Sequence, residues 1–347
     1  MTMTKLFYPM WNDLNKLDLG QSGARPGEWK GSPALYMEQM NTAIFLRDEI
    51  PFPSFRMQAE VALPEEVGFI GFVFGARDEA NYELVYLAPV EIQYDPVMNG
   101  SMTWQIYNGP EYQKPLPNTT GGWHTFTVEV QPEGAIVYLD EDPQPQLVIR
   151  NLQHGGEAGR VGVWNFLHSY IRNLTVEEIE TAPLPQLPSD TSLLTGTVEA
   201  DSKRTGPFVV QEWKVSDVYQ DQLKSGDAQT WQKAMVEENG VLNLNRLYKV
   251  KPGSKVQVQA EVNIAEPMES MLSFGFSDHL RMWINDELVY EGGWNWNPPS
   301  SDGRIRDHFV EIPISWIGGQ NTIRAEVSQQ EFFGWGLIVN TGVQQQQ

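Results

Sequence analysis

The stretch KVQVQAEVNI (Lys255–Ile264) constrains the fold more than any other. Val256, Val258, Ala260, Val262 and Ile264 take every second position, with Gln, Gln, Glu and Asn between them. A period of two puts apolar side chains on one face of an extended strand, whereas a helix would spread them around its axis. The pattern recurs. NYELVYLAP sets Tyr82, Leu84 and Tyr86 on one face, and HTFTVEVQP does the same with Phe126, Val128 and Val130. FRMQAEVAL, HFVEIPI and NTIRAEV repeat it, and Gly, Pro, Asn and Asp separate the runs. This predicts antiparallel sheets with one solvated face each. No segment keeps a helical period for twelve residues, and VSDVYQDQLKSGDAQTWQKAM (Val215–Met235) alone is a candidate for a short helix. Many short strands without strand–helix–strand alternation predict an all-β protein made of sandwiches or jelly rolls.

The 347 residues exceed what one β-core usually covers, so two domains are expected. ETAPLPQLPSDTS (Glu180–Ser192) packs three prolines into six residues and reads as a semi-rigid linker. The expected division is a sandwich over 1–180, a Pro-rich linker over 181–192, a jelly roll over 193–343 and a disordered Gln tail over 344–347. Residues 1–180 hold 11 Lys and Arg against 24 Asp and Glu, and residues 181–347 hold 13 against 21, so both halves are acidic. A net charge of −21 argues against nucleic acid and anionic membranes as partners, because both require clustered cations. It leaves structural calcium open, since calcium takes six to eight oxygen ligands. Cysteine is absent, which removes disulfides, thiolate nucleophiles and Cys-containing zinc sites. The N-terminal MTMTKLFYPMWNDLNK shows no apolar core of a secretory signal, and no apolar run approaches a bilayer span, so the compartment is left open.

Three segments of the N-terminal half carry a resemblance: PFPSFRMQAEVALPEEVGFIGFVFGARDEANYELVYLAP, GWHTFTVEVQPEGAIVYLDED and AGRVGVWNFLHSYIRNLTVEE. In this order they resemble the concanavalin A-like lectin/glucanase sandwich, most closely laminin G-like and 3-keto-disaccharide hydrolase-type domains, over about Trp29–Glu178. Gly68, Gly71 and Gly75 lie on strand-like sequence, where glycine marks bulges or close backbone approach; no helix follows, so they form no dinucleotide loop. The resemblance implies a sugar-binding face, with Arg77, Tyr82, Tyr86, Trp104, Tyr107 and Trp164 as its candidates. Aromatic rings cover apolar faces of pyranoses, and Arg bonds hydroxyls. The same rings could instead pack the core. The Glu-x-Asp-x-x-Glu strand of the glucanase members is missing; VEEIE (Val176–Glu180) comes nearest and lacks the Asp, so no catalytic residue transfers.

In the C-terminal half, FGFSDHLRMWINDELVYEG and HFVEIPISWIGGQNTIRAEVSQQEFFGWG resemble the galactose-binding-like jelly roll over about Val241–Asn340. Asp278, Trp283, Asn285, Asp286, Gly319, Asn321, Ile323 and Val327 match its pattern. Trp283, Asn285 and Asp286 read as hairpin scaffold, with the Asn side chain expected to bond the turn backbone. GGWNWNPPSSDGR differs: Trp294 and Trp296 alternate on a proline-stiffened loop, the kind of place where exposed rings recognise ligands, with Trp335 expected nearby. The five histidines lack metal-ligand spacing, and there is no nucleophile elbow or phosphate loop. Together these features favour a non-catalytic carbohydrate-binding protein. A glycoside-active hydrolase or lyase, and a module for protein contact or self-assembly, are the alternatives.

Overall fold

The computed structural model describes residues 4–156, 159–187, 208–220, 230–249 and 251–343. The predicted Gln tail, and residues 188–192 of the predicted linker, lie outside these. The chain divides into two compact units, Met1–Val97 with Gly109–Val198, and Met98–Asn108 with Glu199–Gln347. Both are built of antiparallel strands, so the protein is all-β. Among the described residues no helix is long and apolar enough to cross a membrane.

The first unit is a sandwich of two sheets. One runs Leu147–Ile149, Gly134–Leu139, Trp123–Gln131, Phe55–Ala62, Ser169–Glu178, Ser32–Met37, Arg25–Trp29, with Lys5–Tyr8 also on Ser169–Glu178. The other runs Gln113–Pro115, Glu91–Tyr94, Asn81–Ala88, Phe69–Asp78, Arg160–Phe166, Thr42–Leu46, Leu17–Asp18. Period-two alternation supplies the core: Phe55, Met57, Ala59 and Val61 are buried on one strand, and Phe126, Val128 and Val130 on the next. Phe126 stacks on Phe72 of the opposite sheet at 5.3 Å, which identifies the face of each sheet that points inward. The strand glycines act as expected. A side chain on Gly71 would meet the Val85 carbonyl at 2.3 Å, and Gly75, at φ +57, sits where the pairing of Phe69–Asp78 shifts register.

The second unit pairs a six-stranded sheet with a four-stranded one. The larger runs Trp231–Met235, Glu212–Ser216, Lys255–Ile264, Gly319–Ser328, Asp278–Ile284, Glu287–Trp294, and the smaller Leu242–Asn243, Gly336–Asn340, Met268–Phe276, Val310–Trp316. Between them lies one core that includes Trp213, Trp316, Trp335, Phe274 and Phe276. The helix expected within Val215–Met235 does not form in its described residues. Glu212–Ser216 and Trp231–Met235 are paired strands instead, because Trp213 and Val215 alternate into the core. Asn285 and Asp286 take the left-handed conformation of a tight hairpin, at φ +47 and +69. The Asn285 side chain, expected on its own turn, bonds the adjacent strand: its Oδ1 accepts from the Thr322 N–H at 2.9 Å, and its Nδ2 donates to Asn321 at 2.8 Å. A side chain two bonds from the backbone reaches a paired strand as readily as its own loop.

The segment Met98–Asn108 is stitched into this second unit by hydrogen bonds. The Gln105 N–H donates to the Phe333 carbonyl at 3.0 Å, and the Ile305 N–H donates to the Gln105 carbonyl at 2.8 Å. Asn239 and Asn99 donate side-chain N–H groups to the carbonyls of Ile106 (3.0 Å) and Asn245 (2.8 Å) respectively. The buried Tyr107 hydroxyl accepts from Arg246 and Asn243. A buried polar group left without its partner costs about 1–3 kcal/mol, and domains are stable by only about 5–15 kcal/mol. A fragment of residues 199–347 is therefore expected to melt far below the same unit in the whole chain. A synthetic peptide of residues 98–108 should raise its melting temperature with the logarithm of the peptide concentration once that exceeds the Kd. Differential scanning calorimetry checks both; equal melting temperatures without the peptide would refute the role given to the segment.

Candidate functional site

The nine sequence-predicted residues fall into three environments. On the seven-stranded sheet, Gly71 pairs with both Tyr86 and Trp164, while the next residue, Phe72, faces the core. Tyr82, Tyr86 and Trp164 therefore lie on the face turned away from the core. Phe69, Phe166, Trp164 and Tyr86 form a stacked row there, with centroids 5.2–6.3 Å apart. Even so, Tyr82, Tyr86 and Trp164 are at most 3% exposed, and Asn41 accepts the Trp164 indole N–H at 3.0 Å. Arg77 is exposed, with its guanidinium donating to the His154 carbonyl at 2.6 Å. Tyr107 and Trp335 are fully buried in the second unit, Trp335 beside Tyr248.

Trp104 and Trp296, separated by almost two hundred residues in sequence, come together in the second unit. Phe333 lies between them, its ring centroid 5.5 Å from Trp104 and 6.2 Å from Trp296. Trp296 is 49% exposed and Trp104 half-buried. Trp296–Asn297 pairs with Ser301–Asp302 to form a short hairpin, whose turn contains a cis bond between Pro298 and Pro299. Trp294, two residues earlier, is half-buried and acts as a strut: its indole donates to the Arg304 carbonyl at 3.1 Å, and its ring packs on Phe309.

Polar groups ring this cluster. One Glu331 oxygen, Oε2, accepts the Trp296 N–H and the Gln105 side-chain N–H, both at 3.0 Å. The Arg304 guanidinium lies 5.3 Å from the Trp104 ring centre, a cation–π distance. Burial works against the ionised Asp302 carboxyl, yet its bonds and charge interactions with Arg306, with Arg304 beside them, hold it below the usual carboxylate range. Gly303, at φ +67, lets these parts close up: a side chain there would meet Gln105 at 2.5 Å and the Trp296 nitrogen at 2.9 Å. Rings, a carboxylate, a guanidinium and amides within one patch can cover an apolar sugar face while bonding its hydroxyls.

Sequence reasoning missed Phe333, Glu331, Gln105 and Arg304. The signal for Phe333 lay in FFGWG, where Trp335, the larger ring, was the residue singled out. It also missed a second aromatic group on the first unit. Trp29 packs with Trp123 at 5.3 Å and Tyr170 at 6.1 Å, and Tyr170 packs with Tyr36 at 5.0 Å. Cations cover three of these four rings: Lys30 over Trp29, Arg25 over Tyr36 and Arg172 over Trp123, at 4.5–4.8 Å. Arg25 and Arg172 are paired in turn with Glu38 and Glu60.

On the same face lies an open hollow of about 560 Å³ lined by Arg56, Glu129, Tyr138 and Glu177 and bordered by Pro183 and Pro185. Arg56 donates to Glu129 at 2.5 Å and to Glu177 at 2.9 Å. Burial alone would raise the Glu177 carboxyl; Lys5 and Arg56 outweigh it and hold it below the usual range. Among the described residues no group of three or more His, Asp or Glu side chains is placed to hold a metal ion.

No protein-family model and no curated protein matches the sequence. Solved structures are similar in layout. The carbohydrate binding module CBM66 from Bacillus subtilis is 14% identical, with a TM-score of 0.36 over 45% of this chain and 93% of its own. The Crh5 transglycosylase in complex with NAG is 10% identical, with a TM-score of 0.38 over 52% of this chain and 86% of its own. The VIP36 exoplasmic/lumenal domain, in its Ca2+/Man3GlcNAc-bound form, is 10% identical, with a TM-score of 0.36 over 53% of this chain and 93% of its own. Similarity this distant does not transfer a ligand or a reaction.

Trp335 and Trp296 should lose very different amounts of stability on truncation. Trp335→Ala empties a fully buried core position and is expected to cost about 3–5 kcal/mol. Trp296→Ala is expected to cost under about 1 kcal/mol, because half of its ring already faces water. Urea unfolding of the two variants measures both.

Proposed function

We propose that the protein binds glycans without cleaving them, through the Trp104–Phe333–Trp296 cluster. The observation that carries this reading is Trp296: a half-exposed indole on a short hairpin, with Glu331 bonded to its backbone and Arg304 on the neighbouring ring. An exposed ring loses apolar hydration when a pyranose covers it, and the fixed polar groups around it orient the hydroxyls. The reading gives calcium no part in the contact.

The carboxylates of the first unit support binding over hydrolysis. A glycosidase needs one carboxylic acid with a raised pKa to protonate the leaving oxygen. Glu129 and Glu177 are instead both clamped by Arg56, and Glu177 is pulled the other way. A glycoside-active enzyme is the alternative, and it would require that clamp to open.

Screening the full-length protein against a broad panel of neutral and acidic glycans tests the reading. At least one ligand is expected to quench tryptophan fluorescence, and Trp296→Ala should weaken its binding at least tenfold, about 1.4 kcal/mol. A panel without a hit would sink the proposal. Sugar release from the same panel, abolished by Glu177→Gln, would establish the enzymatic alternative instead.

A further inference from the structure

We propose that Asp278 is a positioning residue for this site, and that its ionisation loosens the Gln329–Phe333 segment that carries Glu331 and Phe333. The inference rests on reading the Trp104–Phe333–Trp296 cluster as a binding site. Asp278 opens the strand Asp278–Ile284, opposite Trp294, and is fully buried at φ +66. Its Oδ2 accepts the backbone N–H of Gln330 at 2.5 Å and of Glu331 at 3.2 Å. Glu331 in turn holds the Trp296 N–H and Gln105. One carboxyl thus seats the backbone that presents one ring of the cluster and anchors the hairpin of another.

The other oxygen of Asp278, Oδ1, is buried without a hydrogen-bond partner, an unfavourable place for a carboxylate and a tolerable one for a carboxylic acid. The charged groups on the elements around it do not compensate. On its own strand, Arg281 pairs with Glu291 of the hairpin partner, and His279 is the nearest titratable neighbour in sequence. On the other flanking strand, Glu326 accepts from Tyr219, and Arg324 lies over Trp283. Across the 329–333 segment the charge that bears on Asp278 is that of Glu331, which is repulsive. Burial is the largest influence and raises the carboxyl, the two N–H bonds lower it and Glu331 raises it again, leaving it at about 7.

The direction of the pH effect follows. The buried pKa lies above the ordinary carboxylate value, so the seated segment is favoured while Asp278 is protonated. That advantage is lost as pH rises from the ordinary range through about 7, by at most about tenfold per pH unit, and changes little beyond.

Amide hydrogen exchange at Gln330 and Glu331, in the unliganded full-length protein between about pH 5.5 and 8.5 and corrected for intrinsic rates, tests this. Protection is expected to fall toward pH 7 by up to about tenfold per unit and then level off. Asp278→Asn keeps an acceptor for both N–H groups but cannot ionise, so it should retain protection and lose the pH step. Affinity for a glycan found by the fluorescence screen should follow the wild-type profile and be flat in the Asn variant. Protection in the wild type that does not vary with pH, or a step that persists in Asp278→Asn, overturns the proposal. A step abolished by Asp278→Asn in a protein that binds no glycan supports the positioning role and rejects the binding reading. If the Asn variant does not fold, the side-chain carboxyl shift of Asp278 in the wild type decides: titration near pH 7 supports the proposal, and a flat response overturns it.

Discussion

Two backbone hydrogen bonds hold the candidate site in place: from the Gln105 N–H to the Phe333 carbonyl, and from the Ile305 N–H to the Gln105 carbonyl. With them residue 105 spans two loops of the second unit, one leading to Trp335 and the other returning from the Trp296 hairpin. Trp104 follows into the cluster as the neighbour of Gln105, and the Gln105 side chain meets the Glu331 oxygen that also holds Trp296. Such bonds are demanding, since an N–H or C=O buried without a partner costs more than a made bond contributes. Sites assembled from loops need this kind of bracing, because a sandwich fixes only the ends of its loops.

The strands were legible because alternation is a local property. A residue and its second neighbour share a face whatever the rest of the chain does, so the burial of Lys255–Ile264 follows its sequence position by position. The candidate helix was misread for a related reason. Val215–Met235 offers no long alternating run, and only the pairing of Glu212–Ser216 with Trp231–Met235 and Lys255–Ile264 reveals two short strands. Asn285 shows the limit at the level of one side chain, since whether it bonds its own turn or the next strand depends on a partner 37 residues away.

The site was legible in part, and the division has a physical origin. That Trp296 sits on an exposed loop could be read from the prolines beside it; that the loop closes as a short hairpin could not. That Trp335 is core and Phe333 is not could not, because both lie in one short run and their fates depend on which strand ends where. Nor could any local pattern bring Trp104 beside Trp296, since sequence periodicity carries no information on contacts between distant loops.

What separates a ring that can recognise a ligand from one that cannot is who already occupies its face. Tyr86 and Trp164 stack on each other and are closed to water, so a sugar would have to displace protein to reach them. Trp29, Tyr36 and Trp123 are partly open, but each has a cation over it, and Arg25 and Arg172 are tied to carboxylates. Uncovering such a ring would forfeit a cation–π contact of about 0.5–2 kcal/mol and disturb an ion pair. Among the described residues the ring that Trp296 packs with is Phe333, edge-on at 76°, and about half of the residue is left to solvent. Covering Trp296 removes water from its exposed surface, and on that ring, rather than on Trp104 with Arg304 already over it, the glycan reading rests.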